Sequence, residues 1–129
     1  MKIKNLEMKS SEIINQINWD KVNGLIPVII QSIIDKEVLM LGYMNLEALD
    51  KTIKECRVCF YSRTKQRLWV KGESSGNFLK VNKISLDCDK DTLLIEVEPN
   101  GTICHNGNAT CFSHPFRKKL EEIIEIRKT

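Results

Sequence analysis

The chain has 129 residues, 42% of them apolar and 29% charged, with a formal net charge of +3. That is enough apolar sequence for one folded domain burying roughly two-thirds of its unfolded surface, and it excludes a disordered chain. A charge this small does not by itself imply a nucleic-acid partner. Met1 to Glu7 carries no apolar run of the kind a secretory signal needs. Residues Ser11 to Trp19 are expected to form a short helix capped by Ser10 or Ser11. Leu25 to Gln31 and Glu37 to Tyr43 are rich in branched apolar residues and read as strands. The apolar run from Leu25 to Ile34 is broken by Pro27, Gln31 and Ser32 and is too short to cross a membrane. A cytoplasmic location without a membrane partner is therefore expected.

Asn45 is the expected N-cap of a helix through about Glu55, with Glu47 in its first turn and Leu46, Leu49 and Ile53 on one face. Arg57 to Ser62 and Gln66 to Lys71 read as strands joined by a turn near Thr64-Lys65. Ser75-Gly76-Asn77 marks another turn, Phe78 to Leu86 and Thr92 to Glu98 read as strands, and Asn100-Gly101 is a strong turn signal. A last helix is expected from Pro115 to about Arg127, with Phe116, Leu120, Ile123 and Ile124 as its apolar stripe. The elements predict a single strand-rich α+β domain over residues 1–129, its core at about 19–112. Its small sheet should be largely antiparallel or barrel-like, with few helices.

Without a secretory signal, five cysteines are expected to be thiols or metal ligands rather than a disulfide framework. Cys88, Cys104 and Cys111 are spaced C-x15-C-x6-C, which is not a zinc ribbon. Bound to zinc, three protein ligands leave a fourth position open, as catalytic sites do. The other reading is three small buried hydrophobes. His105, beside Cys104, is the candidate base, against an ordinary hydrogen-bonded histidine. Cys56 and Cys59 form a lone C-x2-C and read as residues where a helix passes into a strand. His114 reads as a helix-entry residue.

Asp87, Asp89 and Asp91 have the spacing of one strand face. Three adjacent carboxylates repel unless water or a cation screens them, so they are either a solvated strand end or a magnesium or calcium site. An EF-hand is excluded, because its glycine and its last glutamate are missing. On an extended strand Cys88 would face away from the aspartates. Two separate sites, or one completed by another chain, then fit better than a single metal. Arg63, Lys65, Arg67, Trp69 and Lys71 occupy odd positions and suggest an anion-binding face, although a turn at Thr64-Lys65 would break it for the first two. Small residues in the following loop, Gly72 to Asn77, offer backbone N–H groups to a phosphate.

The string Tyr61-Ser62-Arg63-Thr64-Lys65-Gln66-Arg67-Leu68-Trp69-Val70-Lys71-Gly72-Glu73-Ser74-Ser75-Gly76-Asn77 resembles the signature of phosphoribosyl-AMP cyclohydrolase. So do Asp87-Cys88-Asp89-Lys90-Asp91-Thr92-Leu93-Leu94, Cys104-His105-Asn106-Gly107, Thr110-Cys111-Phe112, Gly24-Leu25-Ile26-Pro27-Val28 and Leu39-Met40-Leu41-Gly42-Tyr43-Met44-Asn45. The resemblance covers roughly Trp19 to Phe112. It implies an intertwined homodimer with zinc and magnesium that opens the adenine ring of N1-(5-phosphoribosyl)-AMP, the third step of histidine biosynthesis. Zinc would be held by Cys88 of one subunit with Cys104 and Cys111 of the other, and magnesium by Asp87, Asp89 and Asp91. His105 is then the candidate catalytic residue. Arg63, Arg67, Trp69, Lys71, Glu73, Ser74, Ser75 and Asn77 are the candidates for the substrate. The chain departs from the family at Ile103 and Asn106, where the family often has alanine and threonine, and at Asn108-Ala109-Thr110, where it often has basic residues. Many bacterial relatives carry a fused pyrophosphohydrolase domain. With its end at Thr129, this chain is expected to be monofunctional. The rivals are a non-enzymatic zinc module binding nucleic acid through Arg63, Arg67 and Trp69, and another zinc-dependent nucleotide deaminase, whose usual signature is absent.

Overall fold

The computed structural model describes residues 10–101, 107–113 and 118–128. A first helix, α1, covers residues 10–16. The strands are β1 (Ile26–Ser32), β2 (Val38–Met44), β3 (Cys59–Ser62), β4 (Arg67–Val70), β5 (Leu79–Leu86) and β6 (Leu93–Pro99). Helix α2 spans Leu46–Glu55 between β2 and β3, and α3 spans Leu120–Lys128.

Four strands form one sheet in the order β2-β1-β6-β5, and β3 pairs with β4 in a separate hairpin. All pairings are antiparallel except β1 with β6, which run parallel. That parallel pair joins strands far apart in the chain, so it was not visible in the order of neighbouring elements. It also explains why both strands are apolar. Ile26, Val28 and Ile30 on β1, and Leu93, Ile95 and Val97 on β6, are all fully buried at every second position. The segment before β3 lies along the outer edge of β5, where Val58 N–H donates to Leu79 O at 3.1 Å and Val81 N–H to Cys56 O at 2.9 Å. Phe60 on β3 then returns to Gly42 on β2. The two sheets are thereby rolled toward one another around a common core.

Asn45 caps α2 as its side chain predicts, accepting the Ala48 N–H at 2.8 Å. Leu49 and Ile53 enter the core, whereas Leu46 stays 50% exposed. The helix ends on Cys56, which adopts the left-handed conformation at φ 57°. Thr52, fully buried, ties this helix to β3: its hydroxyl donates to Ala48 O at 2.8 Å and accepts the Cys59 N–H at 2.9 Å. Thr52→Val preserves the shape but strands that buried N–H. It should cost about 1–2 kcal/mol in urea unfolding, while Thr52→Ser retains most of the stability. An unchanged midpoint for Thr52→Val would show that the hydroxyl is not what satisfies Cys59.

Two terminal expectations change. Ser10 lies inside α1 rather than capping it, and its hydroxyl donates to Asp50 Oδ1 at 2.9 Å. Trp19 falls in the turn after the helix, with its indole N–H donating to Ile14 O at 3.0 Å. The last helix starts at Leu120 and not near Pro115, since Lys118 and Lys119 are not helical. Charge explains this: Glu121 and Glu122 suit a helix N-terminus, whereas two lysines there oppose its dipole. Of its expected stripe, Leu120 is 69% and Ile124 43% exposed, and Phe116 lies outside the described residues. Among the described residues no helix is long and apolar enough to cross a membrane.

Candidate active site

The three aspartates do converge, but not as one face of a strand. Strand β5 ends at Leu86, and the chain reverses through residues 87–92 into β6. Lys90 takes a left-handed conformation, at φ 61°, to make that reversal. The turn wraps around one carboxylate: Asp87 Oδ1 accepts the N–H of Asp91 at 3.0 Å and of Thr92 at 3.2 Å. This folding brings one carboxylate oxygen each from Asp87, Asp89 and Asp91 within 4.8 Å of one another. Among the described residues, no other group of three or more such side chains converges in this way.

A residue far upstream completes the cluster. Lys21 Nζ lies 2.8 Å from Asp91 Oδ2. Its hydrogen bond is the main cause holding the Asp91 carboxyl below the usual carboxylate range, and the same bond raises the Lys21 ammonium. The backbone reinforces the contact, with Asn18 N–H donating to Lys90 O at 2.8 Å. No spacing in the sequence announces Lys21, because the pairing depends on the turn at 18–24 docking against the turn at 87–92.

Cys88 is exposed in the same turn. Cys111 is also exposed, on a segment tied to β2. The buried Thr110 hydroxyl donates to Val38 O at 2.8 Å, and Cys111 N–H donates to Leu39 O at 2.8 Å. In the sheet order β2-β1-β6-β5, the strand β2 that holds Cys111 is two spacings from β6 and three from β5, the strands flanking Cys88, or about 10–14 Å between strand axes. Two thiolates on one zinc lie within about 4.6 Å. Cys104 and His105, like His114, lie outside the described residues. Cys56 and Cys59 sit where α2 passes into β3, as their spacing suggested. Cys59 is fully buried, and burial pushes its thiol above the ordinary range.

The basic stretch is split by its turn. Residues 63–66 form the bend between β3 and β4, so Arg63 and Lys65 do not share a strand face with Arg67, Trp69 and Lys71. The Arg63 guanidinium stacks 4.0 Å from the Tyr43 ring centroid, and Lys71 Nζ lies 5.2 Å from the Trp69 ring centroid. Arg67 bonds Glu73 Oε1 at 2.9 Å, and Glu73 Oε2 accepts the Val70 N–H at 3.3 Å. Arg67 is the main cause holding the Glu73 carboxyl below its usual range. In the following loop Gly72 has φ 93°, and any Cβ there would meet the Asn77 backbone at 2.5 Å, so only glycine fits. Ser75 Oγ accepts the Asn77 N–H at 3.2 Å.

Two cavities open side by side here. One, of about 260 Å³, is walled by Met40, Tyr43, Phe60, Tyr61, Arg63 and Trp69. Its neighbour, of about 280 Å³, is walled by Ser62, Lys65, Arg67, Trp69, Glu73 and Ser74. Trp69 and Ser62 line both. The aromatic members other than Trp69 carried no assigned role in the sequence reading, because nothing local shows that β2 and β3 face one cleft.

The family model for phosphoribosyl-AMP cyclohydrolase matches residues 40–113 of the chain. A histidine biosynthesis bifunctional protein HisIE of Haemophilus influenzae is 65% identical over 109 residues, covering 84% of this chain and 49% of that protein. The protein of the same name from Pasteurella multocida is 57% identical over 122 residues, covering 88% of this chain and 61% of the relative. That of Shigella flexneri is 53% identical over 118 residues, covering 88% and 58%. The chain thus spans between half and three-fifths of the length of these relatives.

Proposed function

Since this chain belongs to the phosphoribosyl-AMP cyclohydrolase family, we propose that it hydrolyses the N1–C6 bond of the adenine ring in N1-(5-phosphoribosyl)-AMP. The product is the formimino-aminoimidazole carboxamide ribotide, in the third step of histidine biosynthesis. The observation that carries this reading is the extent of the family match. Residues 40–113 contain the three cysteines, His105, the aspartate turn and both cavities beside Trp69.

The donor sets fit two metals of different hardness. Three carboxylate oxygens within 4.8 Å of one another suit magnesium, which takes a few carboxylates and keeps water or phosphate in its remaining positions. Thiolates suit zinc, held by Cys88, Cys104 and Cys111. The sheet between Cys88 and Cys111 favours a zinc shared across a homodimer, with Cys88 contributed by the opposite subunit. When bound, zinc would supply Lewis acidity that makes water a nucleophile near neutral pH. The water oxygen bonds to C6 and becomes the carboxamide oxygen, the C6–N1 bond breaks, and of the water's two protons one ends on N1 while the other is released from the cationic substrate. His105 is our candidate to take the first proton and deliver it to N1. Lys65, Arg67, Lys71, Ser74, Ser75 and Asn77 surround the polar cavity or its loop and are candidates to hold phosphate. The Arg67–Glu73 pair sets the shape of that loop. A nucleic-acid module fits less well, because the family match over residues 40–113 takes in the cysteines and aspartates as well as the basic stretch.

The direct test is purified protein with phosphoribosyl-AMP, following product absorbance. A strong chelator should abolish turnover and zinc should restore it; full activity in protein shown to be metal-free overturns the proposal. Asp89→Asn should weaken the magnesium dependence and leave zinc content near normal. Loss of zinc from folded Asp89→Asn protein would count against separate metal sites.

A further inference from the structure

The cavity walled by Tyr43, Phe60 and Trp69 is lined by aromatic, aliphatic and hydroxyl side chains and by Arg63, with no carboxylate among the described residues that line it. A cation nevertheless rests in it, the Arg63 guanidinium, 4.0 Å from the Tyr43 ring centroid. What attracts that charge is the electron-rich ring face, through its quadrupole. The adjoining cavity differs in character, with Lys65 and the Arg67–Glu73 ion pair in its wall, which leaves an excess of positive charge. One cleft therefore offers a planar seat for positive charge beside a seat for negative charge, divided by Trp69. Room for the seat comes from Gly42, whose missing side chain leaves space for the Phe60 ring. The seat also lies near Cys111, a candidate zinc ligand, because Leu39, which precedes Met40 of the cavity wall, accepts the Cys111 N–H.

An adenine substituted at N1 is protonated at neutral pH, so it is a planar cation carrying phosphates on its riboses. We propose that Tyr43 is the specificity-determining platform for this purinium ring. The ring takes the place of the Arg63 guanidinium on the Tyr43 face, and the released Arg63 turns to a phosphate of the ligand. This rests on the proposed function for the identity of the ligand, but its test does not depend on turnover.

The experiment compares two probes by titration calorimetry on the full, metal-loaded protein: 1-methyladenosine 5′-monophosphate, whose ring is cationic, and AMP, whose ring is neutral. Both carry the same phosphate. The unsubstituted protein should prefer the cationic probe by roughly tenfold, the size of a partly desolvated cation–π contact. Tyr43→Phe should keep that preference. Tyr43→Leu should reduce it to near one, with Tyr43→Met as the second variant in case circular dichroism shows Tyr43→Leu misfolded. Arg63→Met should weaken both probes together and leave the ratio intact. Equal affinity of the unsubstituted protein for the two probes, or a preference that survives in folded Tyr43→Leu or Tyr43→Met, overturns the platform. If the preference holds and phosphoribosyl-AMP is not hydrolysed, the catalytic reading fails and the platform stands.

Discussion

Cys88→Ser and Cys111→Ser proteins should each be inactive alone, and about a quarter of the unsubstituted activity should return when they are unfolded and refolded together. The expectation follows from where the two residues sit. Cys88 belongs to the β5–β6 turn and Cys111 is held against β2 by the Thr110 and Cys111 backbone contacts. Two to three strand spacings lie between the elements that carry them, which favours ligands drawn from two chains. In a two-fold dimer, random pairing makes about half of the molecules mixed. Each mixed dimer has one site with both substitutions and one with neither, so one site in two works. If a single chain supplied all three cysteines, no pairing would rebuild a site. Zero recovery, with mixed dimers confirmed by native mass spectrometry, would falsify the shared centre.

Gly42→Ala should be among the most damaging small substitutions in the domain. A Cβ at residue 42 would meet Cδ1 and Cε1 of Phe60 at 2.5 Å and its Cζ at 3.0 Å. Phe60 has little room to yield, being 2% exposed and packed at a tilt against Trp69 with ring centroids 5.7 Å apart. The backbone of Gly42 is not in the left-handed region, so the cost is the contact itself and not strain. Overpacking of this kind costs about 1–3 kcal/mol, a large share of the roughly 5–15 kcal/mol that hold a domain folded. Displacing Phe60 also moves the wall of the aromatic cleft, so AMP should bind more weakly. Pairing Gly42→Ala with Phe60→Leu removes part of the obstructing ring. The double variant should then be less unstable than the two separate losses predict, by at least about 0.5 kcal/mol in a double-mutant cycle. Simple additivity would show that the Gly42–Phe60 contact is not responsible.

Much of the fold could be read locally. Six strands and α2 fall within a residue or two of their expected places, because alternating burial on β1 and β6 and the Asn45 cap are properties of a few neighbouring residues. The boundaries of α1 and α3 were less legible. Ser10 looked like a cap and instead reaches across to Asp50, and the Lys118-Lys119 pair delays a helix that Pro115 seemed to announce. For the candidate site, the aspartate cluster was found from its spacing for a reason that proved different. The carboxylates gather because a reversing turn folds around Asp87, not because a strand presents them on one face.

Side-chain hardness, charge and motif order are written directly in the chain, and they mark which residues could carry chemistry. They mark Asp87, Asp89 and Asp91 as candidate oxygen donors, Cys88, Cys104 and Cys111 as candidate sulfur donors, and the stretch from Arg63 to Asn77 as a candidate polar face. Only the tertiary structure decided how those residues are grouped. The parallel pairing of β1 with β6 puts Cys88 and Cys111 on different parts of the sheet. Docking of one turn on another brings Lys21 to Asp91, and the return of β3 to β2 sets Tyr43, Phe60 and Trp69 around one cleft. Each of these depends on contacts between segments tens of residues apart, and no local periodicity records such contacts.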